Sequence, residues 1–303
     1  MTPETFGNVM DRDAIEEIEV ALLLEAVFRR YGYDFRHYSK ASIQRRVKHF
    51  MARSSVERIA DVTARLLHDQ EFFQRLIEDF SVPVTEMFRD PDVYAFLRRE
   101  VVPFLRTYPF LKVWHAGCAS GEEVYSLAIL LKEEGLYDRT TIYATDFNEV
   151  VLDKARSGIY HIRDVKKYLD NYRRAGGTGS LHDYFDAHYD SVIMAKALKK
   201  NITFARHNLA SDQVFGEMHL ILCRNVLIYF DRSLQNRVLN LFDESLVRCG
   251  FLCLGKKETL RFSEVRDRFL EVSSTMQVYR KKCSDEDVLM LDKTASAGEK
   301  TLP

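Results

Sequence analysis

The chain has no apolar run approaching about 18 residues, no basic-apolar-small leader and no surplus of either charge, with 44 Lys and Arg against 45 Asp and Glu in 303 residues. On these absences neither a membrane span nor secretion is expected, and no global electrostatic argument for nucleic acid remains. The five cysteines, Cys118, Cys223, Cys249, Cys253 and Cys283, are odd in number and form no Cys-x-x-Cys pair. Neither a disulfide framework nor a zinc site is expected, no other metal site is suggested, and a reducing cytoplasm is the expected location. No internal repeat is visible. What is present, 46% apolar residues in a chain of this length, suits a large domain with a smaller one beside it.

Glycine and proline are also scarce inside the periodic segments of residues 1–88, which predict helices at Ala14–Tyr31, Ser42–Ala52, Ile59–Leu67 and Gln70–Phe80 and hence a small bundle. In the second helix Ile43, Val47, Phe50 and Met51 gather on one side, while Arg45, Arg46, Lys48, His49 and Arg53 fill the other. Such a face is either plainly solvated or an electrostatic dock for an acidic helix, RNA or lipid headgroups.

Pro83 and Pro91 bracket an irregular junction between the two parts. A helix Val93–Leu105 then leads to Trp114-His115-Ala116-Gly117-Cys118-Ala119-Ser120-Gly121-Glu122-Glu123, a buried strand running through small residues into an acidic helix start. Gly117 and Gly121 leave the backbone open to a ligand. The closing Gly-Lys-Ser/Thr of a phosphate loop is missing, and two carboxylates would repel a polyphosphate, so a cationic nucleotide-like ligand such as S-adenosylmethionine fits better. A loop that merely lets helix pack on sheet is the competing reading. Asp146 ends the next strand, Thr141–Asp146, 25 residues beyond Gly121, where a carboxylate either receives ribose hydroxyls or caps a helix. A helix follows at Glu149–Arg156.

Residues 158–205 interrupt the alternation. Gly176-Gly177-Thr178-Gly179 reads as a loop, and the apolar runs Ser191–Met194 and Ile202–Phe204 read as a small antiparallel insertion, placed at roughly 165–205. Strands at His219–Asn225, Gly250–Gly255, Phe269–Val272 and Gln277–Arg280 with a helix Arg232–Arg248 complete a doubly wound α/β sheet, and a flexible tail is expected over 284–303.

Six segments in this order resemble the CheR-type chemotaxis receptor glutamate O-methyltransferases over about residues 10–282. They are Pro83-Val84-Thr85-Glu86-Met87-Phe88-Arg89, Gly121-Glu122-Glu123-Val124-Tyr125-Ser126, Ala144-Thr145-Asp146, Lys154-Ala155-Arg156-Ser157-Gly158-Ile159-Tyr160, His207-Asn208-Leu209, and Cys223-Arg224-Asn225-Val226-Leu227-Ile228-Tyr229-Phe230-Asp231. The resemblance implies a helical receptor-docking domain over 1–88, then a class I S-adenosylmethionine methyltransferase sheet with a small β insertion over 89–283. It implies that Thr85, Arg89, Glu123, Asp146, Asn208, Leu209, Asn225 and Val226, beside Gly117, line the S-adenosylmethionine site. Arg89 and Tyr229 would face the reacting groups, and S-adenosylhomocysteine would be the product.

The implied substrate is a glutamate on the cytoplasmic helical bundle of a chemoreceptor, docked on Arg45, Arg46, Lys48 and Arg53, with no nucleic acid and no membrane insertion. Three departures stand out. Pro83 replaces the family's junction Asn, Gly255-Lys256-Lys257-Glu258 replaces Gly-His-Ser-Glu, and Tyr184–Leu198 is too short for the glycine-containing loop with which some members hold a receptor's C-terminal tether. Docking without a tether is therefore expected. The rival readings are a methyltransferase for another substrate such as RNA, and a signalling module that binds the cofactor or its product without receptor methylation.

Overall fold

The computed structural model describes residues 11–81 and 85–283. Pro83 and the stretch 284–303, expected to be a tail, lie outside the described residues. The chain divides into two compact units, one of residues up to 82 with Tyr229–Asp231, the other of Pro83–Ile228 and Arg232 onward.

The first unit holds α1 (Arg12–Tyr31), α2 (Lys40–Ser54), α3 (Ile59–Leu66) and α4 (Gln70–Phe80). Gly32, at φ 76°, turns the chain out of α1 and donates its N–H to the Phe28 carbonyl, a conformation that a Cβ would oppose. Asp69 caps α4 by accepting the Phe72 N–H at 2.9 Å. Phe35, Phe50, Phe72 and Phe80 close the core, Phe50 and Phe72 edge to face. Tyr229–Asp231 joins this unit by main-chain bonds, Ser39 N–H to the Tyr229 carbonyl at 2.8 Å and Asp231 N–H to the His37 carbonyl at 2.9 Å.

The basic side of α2 differs from its helical-wheel reading at one position. Arg46 is only 6% exposed, buried with Ile43, Val47 and Phe50, and its guanidinium carbon lies 4.7 Å from the centre of the Tyr229 ring. Burial holds its pKa below the ordinary arginine value. Aromatic cover from a segment distant in sequence turns this position inward. Arg45, Lys48 and Arg53 stay exposed. Lys48 pairs with Glu16 at 2.8 Å and Arg53 with Asp79 at 2.6 Å, so part of the positive face is neutralised within the unit.

The second unit begins with α5 (Pro91–Phe96), a turn of π-type winding at Leu97–Val101 and α6 (Val102–Leu105). Pro103 has no N–H to give and its ring crowds the preceding turn, which accounts for the interruption of what reads in sequence as one helix. Next come β1 (Leu111–Ala116), α7 (Glu122–Glu133), β2 (Thr140–Asp146), α8 (Glu149–Ser157) and β3 (Ile159–His161). They are followed by α9 (Val165–Arg174), β4 (Phe185–His188), β5 (Ser191–Met194), α10 (Lys196–Lys199), β6 (Ile202–Arg206) and β7 (Met218–Cys223). The last described elements are α11 (Arg232–Ser245), β8 (Leu246–Leu254), β9 (Phe269–Ser273) and β10 (Val278–Lys281).

Seven strands form one sheet in the order β6-β2-β1-β7-β8-β10-β9, with β10 antiparallel to both neighbours and the first five parallel. A separate sheet, β3-β5-β4, is antiparallel and turns at Tyr189-Asp190. The run Ile202–Phe204, grouped in sequence with the insertion, pairs in parallel with β2 in the main sheet, and the small sheet starts earlier, at Ile159. Helix α9 is an element that the glycine-punctuated polar stretch concealed. Its Val165, Tyr168 and Tyr172 are buried.

Cys249 and Cys283 are joined as a disulfide, against the reading of the cysteine spacing. The antiparallel pairing of Arg280 with Phe251 runs the two residues alongside each other across 34 positions of sequence, which spacing alone does not reveal. Cys118, Cys223 and Cys253 are free and buried.

Trp114, fully buried in β1, donates its indole N–H to Thr145 Oγ1 at 2.8 Å and meets His207, Phe215 and Phe242 edge to face. Trp114→Phe removes the donor, leaving a buried hydroxyl to lose its partner, and is expected to cost about 1–3 kcal/mol in urea unfolding followed by circular dichroism.

Candidate functional site

The parallel strands β2, β1 and β7 end together, and the loops after them converge at the point where the chain crosses from one side of β1 to the other, the usual place for a ligand in an open α/β sheet. After β1 the main chain bends sharply. Gly117 has φ 72°, Ala119 46° and Gly121 90°. The N–H groups of Gly117 and Cys118 both reach the Thr145 carbonyl, at 2.8 and 2.9 Å. A Cβ on Gly117 would lie 2.5 Å from Val226 Cγ2, so that glycine is required by φ and by space together.

Asp146 closes the other side. Its carboxylate accepts the Ala119 and Asn148 N–H groups at 3.0 Å each, and burial raises its pKa against those bonds. Two donors leave lone pairs unused on this carboxylate, as binding a pair of hydroxyls requires. The His207 N–H bonds the Asp146 carbonyl at 3.1 Å, which brings Asn208 and Leu209 to the same rim. Asn208 is held by its N–H to Asp212 and by its Oδ1, which accepts from the Ala210 N–H.

A buried ion pair lies beneath the loops. Arg224, at the end of β7, donates to Glu123 at the start of α7, to Asp90 at 2.7 Å and to the Arg89 carbonyl at 3.0 Å. Burial is the largest single influence on the Glu123 carboxyl and raises it, but the Arg224 charge and His115 3.6 Å away together outweigh burial, and the net direction is down. The Arg89 guanidinium acts on Glu123 in the same sense. Asn225, at φ 60°, gives its N–H to Glu258 at 2.9 Å, and the Glu258 carboxylate also receives Gly255 and Ile228 N–H groups. The buried Oδ1 of Asn225 and Nδ1 of His207 meet no hydrogen-bond partner among the described residues.

The structure thus gathers Gly117, Glu123, Asp146, Asn208, Leu209, Asn225 and Val226, with the main chain of Arg89, around the ends of three strands of the second unit. Thr85 is half-buried on the segment leading to Arg89. Tyr229 is counted with the first unit, beside Arg46. Sequence reasoning passed over Arg224, Glu258 and His115 as members of the site. An arginine directly after the apolar strand Met218–Cys223, and a glutamate three residues after Gly255, were the available signals.

Open glycine turns, a buried strand-end carboxylate and unsatisfied polar atoms suit an adenosyl ligand, and with the sheet order they define a class I S-adenosylmethionine methyltransferase. Residues 83–278 match the family model described as CheR methyltransferase, SAM binding domain, and residues 18–81 match that of its all-alpha domain. The chain belongs to the CheR methyltransferase family. It is 50% identical over 265 residues to a Pseudomonas putida protein provisionally named methyltransferase Cher3, covering 88% of this chain and 97% of that one. The chemotaxis protein methyltransferases of Listeria monocytogenes and Borreliella burgdorferi are 30% and 29% identical over 77% and 82% of this chain, and over 87% and 90% of their own. Among the described residues no helix is long and apolar enough to cross a membrane.

Gly117→Ala is expected to weaken S-adenosylhomocysteine binding at least about tenfold by calorimetry, because the added methyl displaces Val226 and the left-handed φ costs about 1–2 kcal/mol. Glu122, bonded to Ser120 Oγ at 2.7 Å, is pushed by burial from an ordinary 4.5 up to about 7. A carboxyl raised in the folded state holds more protons there than when unfolded, so the fold loses stability as pH rises from about 4.5 to about 7. Glu122→Gln removes that slope, by up to about 3 kcal/mol at pH 8, measurable as a pH series of urea midpoints.

Proposed function

We propose that this protein transfers the methyl group of S-adenosylmethionine to glutamate side chains on the cytoplasmic helical bundle of chemoreceptors, giving glutamyl methyl esters and S-adenosylhomocysteine. The observation that carries the reading is the locking of the Arg89 main chain onto Arg224, beside Glu123. Arg89 carries a guanidinium, the side chain best suited to fix a carboxylate in a plane, and its charge acts on Glu123 of the site, which supports the reading.

S-adenosylmethionine, when bound, supplies an electrophilic methyl group on a sulfonium. A glutamate side chain titrates near about 4.3 and is already ionised at neutral pH, so the chain's residues have to orient it and exclude water rather than remove a proton. Arg89 aligns the accepting carboxylate, Tyr229 orients it through its hydroxyl, and Asp146 takes the ribose hydroxyls. Thr85, Gly117, Glu123, Asn208, Leu209, Asn225 and Val226 complete the cofactor's surroundings. Residues 1–88 serve docking through the exposed Arg45, Lys48 and Arg53, with Arg46 acting beneath them beside Tyr229, and residues 89–283 serve catalysis. The two-residue turn between β4 and β5 supports docking without a C-terminal tether.

The test is transfer of labelled methyl from S-adenosylmethionine to purified cytoplasmic receptor fragments. Label released as methanol by alkali, and lost when the target glutamates are changed to glutamine, is the expected outcome. No label on any fragment, despite measurable binding of S-adenosylhomocysteine, would move the assignment to another substrate or to a sensing role. Arg89→Ala is expected to lower the transfer rate at least about a hundredfold and Arg89→Lys to restore little of it, since an ammonium cannot reproduce the two-point grip.

A further inference from the structure

The segment Lys256-Lys257-Glu258-Thr259-Leu260-Arg261-Phe262 leaves β8 directly beside the cofactor loops. A Cβ on Gly255 would lie 2.7 Å from the Asn225 nitrogen and 2.7 Å from Glu258 Oε2, so the loop's root is pressed against the chain that bears Asn225 and Val226. Glu258 faces inward and spends its carboxylate on backbone N–H groups, whereas Lys256, Lys257 and Arg261 face outward. Lys256 leans toward Asp90 at 3.9 Å and Asp92 at 3.6 Å, next to Arg89. No ion pair engages Lys257, Arg261 or the neighbouring Arg232 of α11 among the described residues.

Amid these cations Phe262 is 71% exposed and Ile228 38% exposed. Two cavities open against Phe262. One, of about 280 Å³, lies toward Arg232 and Gln235 of α11, and the other, of about 300 Å³, lies toward Glu271 and Gln277. Glu258 and Glu271 are the acidic groups lining the second cavity, Glu258 with its carboxylate taken up by backbone N–H groups, and Glu264 is occupied by Asn236 and Asn240.

We infer that the Lys256–Phe262 loop with Arg232 is a docking surface for an acidic amphipathic helix, namely the receptor helix that carries the accepting glutamates. This rests on the proposed function and names the part of the second unit that receives the substrate. Charge complementarity argues for it. A helix offering several glutamates for methylation presents carboxylates at three- and four-residue spacing, about 5–6 Å apart, which Lys257 and Arg261 of the loop and Arg232 of α11, held to the Phe262 carbonyl at 3.5 Å, can meet while Phe262 and Ile228 cover an apolar stripe beside them. Each methylation removes one negative charge, so the same surface loses hold of a fully modified helix. Paired with the root at Asn225, the loop couples helix binding to the cofactor side of the sheet rather than to the helical unit alone.

The test uses the full chain, wild type and Lys257→Glu/Arg261→Glu, with two readouts. In the first, fluorescence anisotropy follows a labelled 20-residue helical peptide with glutamates at four-residue spacing. In the second, methyl transfer to receptor fragments gives KM and kcat. The peptide is expected to bind wild type with an affinity that falls steeply with salt, and to lose at least about tenfold in the double variant. For the fragments KM is expected to rise while kcat and S-adenosylhomocysteine affinity hold within about twofold. Phe262→Ala, which adds no charge, should weaken the peptide without changing the salt slope.

Equal peptide binding by wild type and double variant overturns the inference, as does tighter binding of a single-stranded RNA 20-mer than of the peptide. If no receptor fragment is labelled, the proposed function fails, and the peptide measurement still decides for or against the surface. If fragments are labelled and neither peptide affinity nor KM responds to charge reversal, the surface fails alone.

Discussion

The site depends on one buried charge. Arg224 sits at the end of a central strand with its side chain wholly out of solvent, and burial alone would lower its pKa. Glu123, with Asp90 and other neighbours adding to it, reverses that and raises the guanidinium's pKa, as Arg224 helps to lower that of the carboxyl. Removing one partner of such a pair strands the other's charge in a low-dielectric interior, which typically costs about 3–5 kcal/mol. Because its donors also reach Asp90 and the Arg89 carbonyl, this guanidinium ties three segments together: the strand β7, the first turn of α7 and the chain entering α5. No packing of apolar side chains would fix Arg89 with the same angular control, since dispersion contacts are individually weak and non-directional.

Glu258 does for the far side what Arg224 does for the centre. Its carboxylate, raised by burial, gathers the N–H groups of Gly255, Asn225 and Ile228, and so splices the end of β8 to the turn after β7. Asn225 is thereby held at a positive φ that a non-glycine residue seldom adopts, with its Oδ1 buried and without a donor among the described residues. Strain and an unsatisfied acceptor at one residue, sustained by a neighbouring carboxylate, are the marks of a position arranged for a ligand rather than for stability.

Much of this could be read from the chain. Periodicity placed the four helices of the first unit and the strands of the main sheet other than β6, because each of these is long enough for its apolar residues to repeat. The glycine turn and Asp146 were legible because φ and strand-end chemistry depend on local residue type. The order Ile202–Arg206 against β2 was not, since a short strand carries no sign of its partner. Arg46 failed for a related reason: a helical wheel assigns a side by angle, whereas Tyr229, from 183 positions later by the numbering, covers that angle with an aromatic ring. The Cys249–Cys283 link likewise arises from strand pairing. Arg224 and Glu258 were visible only as charges beside apolar runs, and their partners could not be known before the loops were brought together.

Methyl transfer from a sulfonium to a carboxylate destroys two opposite charges, so a polar solvent that stabilises the separated ions slows it. A site for that reaction has to be dry yet must hold an ionised acceptor, and the conflict is eased when the site's own charges are already paired within the protein. Glu123 is committed to Arg224, and Glu258 to backbone N–H groups. Committed groups neither seek water nor, in the proposed reaction, compete for the accepting carboxylate. The fixed dipoles need no rearrangement as the charges vanish. In the proposed reaction, the ion pairs beneath the loops thus act less as adhesive for the fold than as a means of keeping polar groups inside a dry site while preventing them from capturing the accepting carboxylate.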